Sequence, residues 1–274
     1  MKKLLKSISV SGALLFASLQ LCGCGTDTPI ISLEKSRVPV NYTATYHITV
    51  KDGIDEGEDL EYDNSYSVAL EEEDAVQNLV ISSVAEAPFK KDEDSEEGVQ
   101  RITATSRLIY DETDSFGMPL TVEEEFTNSI IEKQYTYLLA EHDHNLQMAL
   151  LRTKKYKSTS DAELTENLYS VSLEKQYFDK DSLPFLLAAF PQEQNAVLWL
   201  SAGNRDRLQA VRYEPLGQES ITVAAGTFLC NKIQLRPNTD FSVYSAVIYI
   251  DTVTGIPVKI IHLNSVMELT QTDI

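Results

Sequence analysis

Chemistry needs histidine, cysteine or paired carboxylates at usable spacing, and the chain offers few such places. Its four histidines are His47, His142, His144 and His262. Only Glu141-His142-Asp143-His144 forms a cluster. Residues two apart share a face only on a strand, where this pair would supply half of a zinc site. No third ligand can be named, and fragments of metal motifs are common by chance, so the run reads as a solvated acidic turn. His47 falls on the polar phase of an alternating segment, and His262, inside Ile260-Ile261-His262-Leu263, reads as an edge or semi-buried histidine. There is no Gly-x-Ser-x-Gly elbow, phosphate-cradling glycine loop or paired-cysteine motif, and 42 acids give no means of choosing a catalytic pair. The expectation is a protein that is not an enzyme, with no catalytic residue, cofactor or metal.

The remaining reactive candidate is a cysteine near the start. Lys2, Lys3 and Lys6 precede an apolar stretch, Ser7 to Leu21, that is too short to span a bilayer and has the layout of a secretory signal. It closes on Leu21-Cys22-Gly23-Cys24, which fits a bacterial lipobox. Cys24 follows the small Gly23 and lies three places after Leu21, whereas Cys22 follows a bulky leucine. Residues 1–23 are therefore expected to be a signal peptide, and Cys24 the lipidated, palmitate-bearing N-terminus. Gly25, not aspartate, follows it, which in a diderm cell implies sorting to the periplasmic face of the outer membrane. Two or three acyl chains at about 0.8 kcal/mol per buried methylene hold such a protein on a membrane.

Removing residues 1–23 leaves 251 residues and lowers the net charge from −19 to −22, because the segment carries three lysines and no acid. That charge disfavours nucleic acid and leaves the lipid, not a basic patch, to make the membrane attachment. With 43% hydrophobic residues the chain can bury a core. Cys230 is then the one cysteine left, so no internal disulfide can form, and Phe228 and Leu229 beside it predict a buried thiol. The acid-rich stretches Asp52 to Glu61, Glu71 to Asp74, Lys90 to Glu97 and Asp111 to Asp114 read as solvated connections. The carboxylate spacing in Asp52 to Asp59 does not match a calcium loop.

Most of the positioning elements read as strands. Residues 24–40 lack a period and are expected to form a lipidated tether, with a single β-rich domain over 41–274. Tyr42, Ala44, Tyr46, Ile48 and Val50 alternate with polar residues, as do Ile102 to Tyr110 and, more briefly, Tyr66 to Leu70. From Ala196 onward, strands are expected at Val197–Leu200, Leu208–Tyr213, Ser220–Val223, Phe228–Leu235, Ser242–Ile250 and Val258–Leu263, separated by glycine turns. Two helices are expected between these regions. Ser160 with Glu163 makes a capping box before Leu164, Leu168 and Val171; Asp181 or Ser182 caps an apolar run, Phe185 to Phe190, bracketed by Pro184 and Pro191. The fold class is mainly β, a curled antiparallel sheet or incomplete β-barrel with one or two short helices.

The stretch Gly217-Gln218-Glu219-Ser220-Ile221-Thr222-Val223-Ala224-Ala225-Gly226-Thr227-Phe228-Leu229-Cys230-Asn231-Lys232-Ile233 resembles the signature of a bacterial envelope family of unknown function. Tyr249 to Lys259, with Gly255-Ile256-Pro257-Val258, is similar to that family's closing hairpin. The resemblance covers the last third of the chain and implies a lipoprotein-carrier-like (LolA/LolB-like) half-barrel around a plugged apolar cavity. It implies no catalytic residue. An apolar groove in such a fold would be lined by Leu183, Phe185, Leu186, Phe190 and Trp199, although the run Val197-Leu198-Trp199-Leu200 favours a core aromatic at Trp199 over a groove residue. Two readings follow: a lipid-anchored envelope protein that binds an apolar or lipid ligand, or an envelope assembly scaffold without ligand whose acidic loops engage a basic protein partner.

Overall fold

A computed structural model describes residues 31–51, 59–89, 98–128, 135–146, 148–157, 160–170, 176–201, 205, 207–238 and 244–274. The expected signal peptide, residues 1–23, and Cys24 lie outside them. The described strands are β1 (Tyr42–Val50), β2 (Leu60–Glu73), β3 (Val76–Phe89), β4 (Gly98–Ile109), β5 (Pro119–Asn128), β6 (Tyr135–Asp143), β7 (Met148–Lys157) and β8 (Ser160–Ser170). They continue with β9 (Tyr177–Phe178), β10 (Ala196–Ser201), β11 (Leu208–Val223), β12 (Gly226–Pro237), β13 (Ala246–Asp251), β14 (Pro257–His262) and β15 (Ser265–Thr272). All join one 15-stranded sheet running from β8 down to β1, then through β15 and down to β9.

Neighbours are antiparallel except the short β9, which runs parallel to β10. The chain's two halves meet where β1 pairs with β15, Ala44 opposite Thr272 and Val50 opposite Ser265. β8 and β9 are not hydrogen-bonded to each other, so the sheet curls without closing its ladder. The mainly β, incomplete-barrel expectation holds.

Period-2 patterning decides which side faces inward. Tyr42, Ala44, Tyr46 and Ile48 of β1 are all buried, and Val68 of β2 and Leu108 of β4 point into the same core. The expected breaks within β11 disappear: Leu208 to Val223 is one strand bent by a bulge between Pro215 and Gln218, where Gly217 takes φ 89°. Its hairpin to β12 matches the expected turn before Gly226.

Two helix expectations need correction. Ser160–Ser170 is strand β8, paired with β7 from Lys157↔Ser160 to Met148↔Ser170. Leu164 and Leu168 are four apart, a spacing shared by a helix face and a strand face, and ladder pairing with β7 outweighs the weak capping signal. Val171 lies outside the described residues. The run Leu183–Ala189 forms two 3-10 turns, Leu183–Phe185 and Leu187–Ala189, instead of an α-helix. The six residues between Pro184 and Pro191 are too few for a stable helix. Neither expected cap acts: the Ser182 hydroxyl donates to Asp179 O at 3.3 Å, while Gln192 Nε2 donates to Leu187 O and Phe190 O at 3.2 and 2.7 Å.

The packed body also begins before residue 41. Leu33 and Val38, within the expected tether, are buried in the core. Ile31 N donates to Gln176 Oε1 at 3.1 Å and Glu34 N to Ala189 O at 2.9 Å. Residues 31–40 thus form a strap across the end of the barrel where β1 starts.

Candidate functional site at the barrel seam

The expected groove residues build two separate places. Leu183, Phe185, Leu186 and Phe190 are at most 1% exposed and form the plug that fills the barrel. Phe185 packs its ring 4.8 Å from Tyr66 and 6.4 Å from Tyr46, while Phe190 lies 5.3 Å from Phe178 and 5.4 Å from Tyr213. Tyr213 and Tyr46 donate their hydroxyls to Pro191 O and Pro257 O, each at 2.9 Å. These residues are core, not the wall of an open groove. Trp199 alternates with the buried Leu198 and Leu200 along β10 and joins a different cluster, with Ile109, Met118 and Tyr177.

That second cluster belongs to a seam. Here β9, β10 and the chain after β10 meet the inner face of β4, β5 and β6, strands with which they share no ladder. Side chains make the closure. His142, on β6, brings Nδ1 to 2.8 Å from the Tyr177 hydroxyl on β9. His144 donates Nε2–H to Pro119 O at 2.8 Å, which leaves Nδ1 as the bare nitrogen in the neutral ring. The two rings stack at 6.4 Å with planes 18° apart.

The pair therefore does share a face, as strand spacing requires, yet it is not a solvated turn. Burial, and then the neighbouring His144, push the His142 pKa down to about 4. The turn proper is made by Asp143, whose Oδ1 accepts from Asn145 N and Leu146 N. A cleft of about 440 Å³ opens beside it, lined by Asn78, Asp111, Leu120, His142, His144 and Asn145. Among the described residues no three His, Cys, Asp or Glu groups stand close enough to hold a metal.

Next to the histidines lies a buried ionic network with no counterpart in the sequence reading. Arg205 donates Nε–H to Asp179 Oδ2 at 3.0 Å, and Nη2 to Glu124 Oε1 at 2.6 Å and Asp181 Oδ2 at 2.8 Å. The side chains of Arg205 and Asp179 are 1% and 0% exposed. Ser201 donates its hydroxyl to Asp179 Oδ2 at 2.8 Å, and Lys180 Nζ meets both oxygens of Asp181 at 2.6 Å.

Burial opposes every charge here, and the partners decide the outcome. Burial prevails at Glu124, whose carboxyl is held above its usual range despite Arg205. At Arg205 and Lys180 the acids prevail over burial and hold both cations more firmly. Arg205 sits at φ 57°, an unfavourable backbone for a side-chain-bearing residue, and the network fixes it there.

Chemically this is a clamp. The Ser201 hydroxyl is bonded to Asp179, and the only cysteine thiol among the described residues, Cys230, is buried in the sheet, where desolvation pushes its pKa up to about 12. One signal for the clamp was present: Glu124 falls in phase with Leu120, Val122 and Phe126, so an acid occupies the inward register of a strand. Of the other histidines, His47 lies on the polar face with Nδ1 at 2.9 Å from Asp63, and His262 is half-buried with its ring 4.9 Å from that of Tyr244.

No protein-family model matches the chain, and no curated protein matches it. The fold has a solved counterpart. The crystal structure of a beta-barrel-like protein of a domain of unknown function, DUF1849, from Brucella abortus is similar over 89% of this chain and 98% of that one, with a TM-score of 0.54. Sequence identity is 12%, so the likeness shows the barrel-like fold alone.

Proposed function

We propose that this chain is a lipid-anchored bacterial envelope protein whose barrel body serves as an interaction scaffold, outside catalysis, and not as a carrier of an apolar ligand. The observation that carries the reading is the filled interior: Leu183, Phe185, Leu186 and Phe190 occupy the space that a carrier of the lipoprotein-carrier kind would leave for acyl chains. The lipobox supports the anchor and the envelope location. A charge of −22 after processing supports a basic protein as the partner.

Native mass spectrometry of the protein purified in mild buffer tests the scaffold against the carrier. The expected result is a clean apo mass, and a reproducible lipid-sized adduct overturns it. Metabolic labelling with palmitate tests the anchor separately. Label is expected on the wild type and absent from Cys24→Ala; equal labelling of both rejects Cys24 as the site.

A further inference from the structure

At one end of the barrel β3 and β5 begin and β4 and β6 finish, and there they surround the cleft of about 440 Å³ beside His142. The inner wall of this cleft presents acceptors. Asn78 lines it and is 4% exposed, and its Oδ1 has no hydrogen-bond partner among the described residues. His144 uses its Nε2–H on Pro119 O, and its buried Nδ1 is likewise unpartnered among them. A buried acceptor without a donor is uncommon and unfavourable, so these atoms point to a donor group that enters from outside.

The rim carries charge of one sign. Asp111, Glu112 and Asp143 are exposed there, and among the described residues no lysine or arginine lines the cleft. Gln77 N donates to Asp111 Oδ2 at 2.9 Å and Asn145 N to Asp143 Oδ1 at 3.0 Å, which fixes both carboxylates in place. Lys35 Nζ comes only within 4.0 Å of Asp111 Oδ1 and lies over the Tyr110 ring. Glu72 and Asp74 of the β2–β3 turn stand exposed at the same end and add to the negative field. His142 does not offset it, because burial holds its pKa down at about 4 and keeps the ring neutral. An anion is therefore repelled, and an apolar group would leave the acceptors unsatisfied. A guanidinium or ammonium group supplies N–H donors and positive charge and brings no acceptor of its own.

We propose that this cleft receives one arginine or lysine side chain of a basic protein partner, its N–H groups donating to Asn78 Oδ1 and His144 Nδ1 and its charge facing Asp111, Glu112 and Asp143. The assignment deepens the scaffold reading above and rests on it. Ile109 and Leu120 line the same wall and suit the methylene stem of such a side chain. The volume lies toward the low end of the roughly 300–1,000 Å³ of small-ligand clefts, which suits a single side chain.

The test titrates the ¹⁵N-labelled protein with N-acetylarginine amide at pH 7.5 and follows the imidazole and carboxamide NMR signals. Shifts are expected at Asn78, His142 and His144. Binding is expected to be about tenfold or more weaker in Asn78→Leu, the equivalent of one hydrogen bond to a charged group. That variant replaces a buried, unpartnered acceptor by an apolar group of similar size and is expected to fold. Glu112→Lys, an exposed change that sets a competing cation at the rim, is a second variant and should weaken binding several-fold. Tetramethylammonium carries the charge without an N–H donor and is expected to leave the three signals in place. Equal shifts from both cations, equal binding by wild type and both variants, or no shift at all overturns the proposal. No probe binding together with a clean apo mass rejects the cleft and leaves the scaffold; probe binding together with a lipid adduct rejects the scaffold and leaves the cleft, so the two failures are distinguishable.

Discussion

Glu124 accepts a hydrogen bond from Arg205 at 2.6 Å, although β5 and β10 stand on opposite arms of the sheet, ten strand positions apart. The contact closes a barrel that backbone pairing leaves open. A seam of side chains can be loosened one residue at a time, and that makes it the most informative place to perturb.

Replacing Arg205 with Met leaves Asp179, fully buried, without its cation. Breaking one partner of a buried pair costs about 3–5 kcal/mol. Chemical denaturation of Arg205→Met is expected to show that loss, whereas Arg205→Met with Asp179→Asn is expected to lose less than the two single changes added together. Additive losses would show that the pair does not act as a unit.

Acid should weaken the seam through His142. Its folded pKa, about 4, lies below the ordinary 6.5, so between these values the unfolded chain binds a proton that the folded chain does not. Stability is then complete above about pH 6.5 and falls as the pH drops toward 4. The loss is roughly 2 kcal/mol, less than the full shift implies because water still reaches the half-buried ring. His262, also held low by burial, adds in the same direction, whereas Glu124, held high, contributes the opposite slope. Comparing wild type with His142→Asn isolates the histidine: the variant's stability should vary less between pH 6.5 and 4.5.

Substituting alanine at Gly255 combines an unfavourable positive φ with a Cβ placed 2.7 Å from Arg37 O. A cost of about 1–2 kcal/mol is expected. The strap should loosen first, so limited proteolysis within residues 31–40 should accelerate by more than global unfolding does. Equal acceleration of both would argue against a strap that opens by itself.

Phe185 tests whether the plug is core. With 1% exposure and ring contacts to Tyr46 and Tyr66, Phe185→Ala should cost about 3–5 kcal/mol and leave a dry apolar cavity. A small apolar probe such as xenon should bind the variant and not the wild type. Binding to both would mean that the wild-type interior already holds space.

Much of the fold was legible in residue order because half-buried strands write period 2 into the chain. Tyr42 to Val50 names both the strand and its buried face, and the turn before Gly226 marks a hairpin. Apolar composition likewise marks Leu183 to Phe190 as buried, and Phe228 and Leu229 mark Cys230. Those are local properties, determined by each segment's own patterning. What covers the plug is not local. Whether it lines a groove or fills the barrel depended on where β1, β2, β9 and β11 curl around it. Leu164 and Leu168, four apart, suit a helix face and a strand face equally, and only pairing with β7 decides for the strand. The clamp was the least legible part, because Glu124, Asp179 and Arg205 are ordinary acids and bases in a charge-rich sequence. Their meaning arises when curling brings them together away from water, where an unpaired charge is costly and a paired one holds the seam.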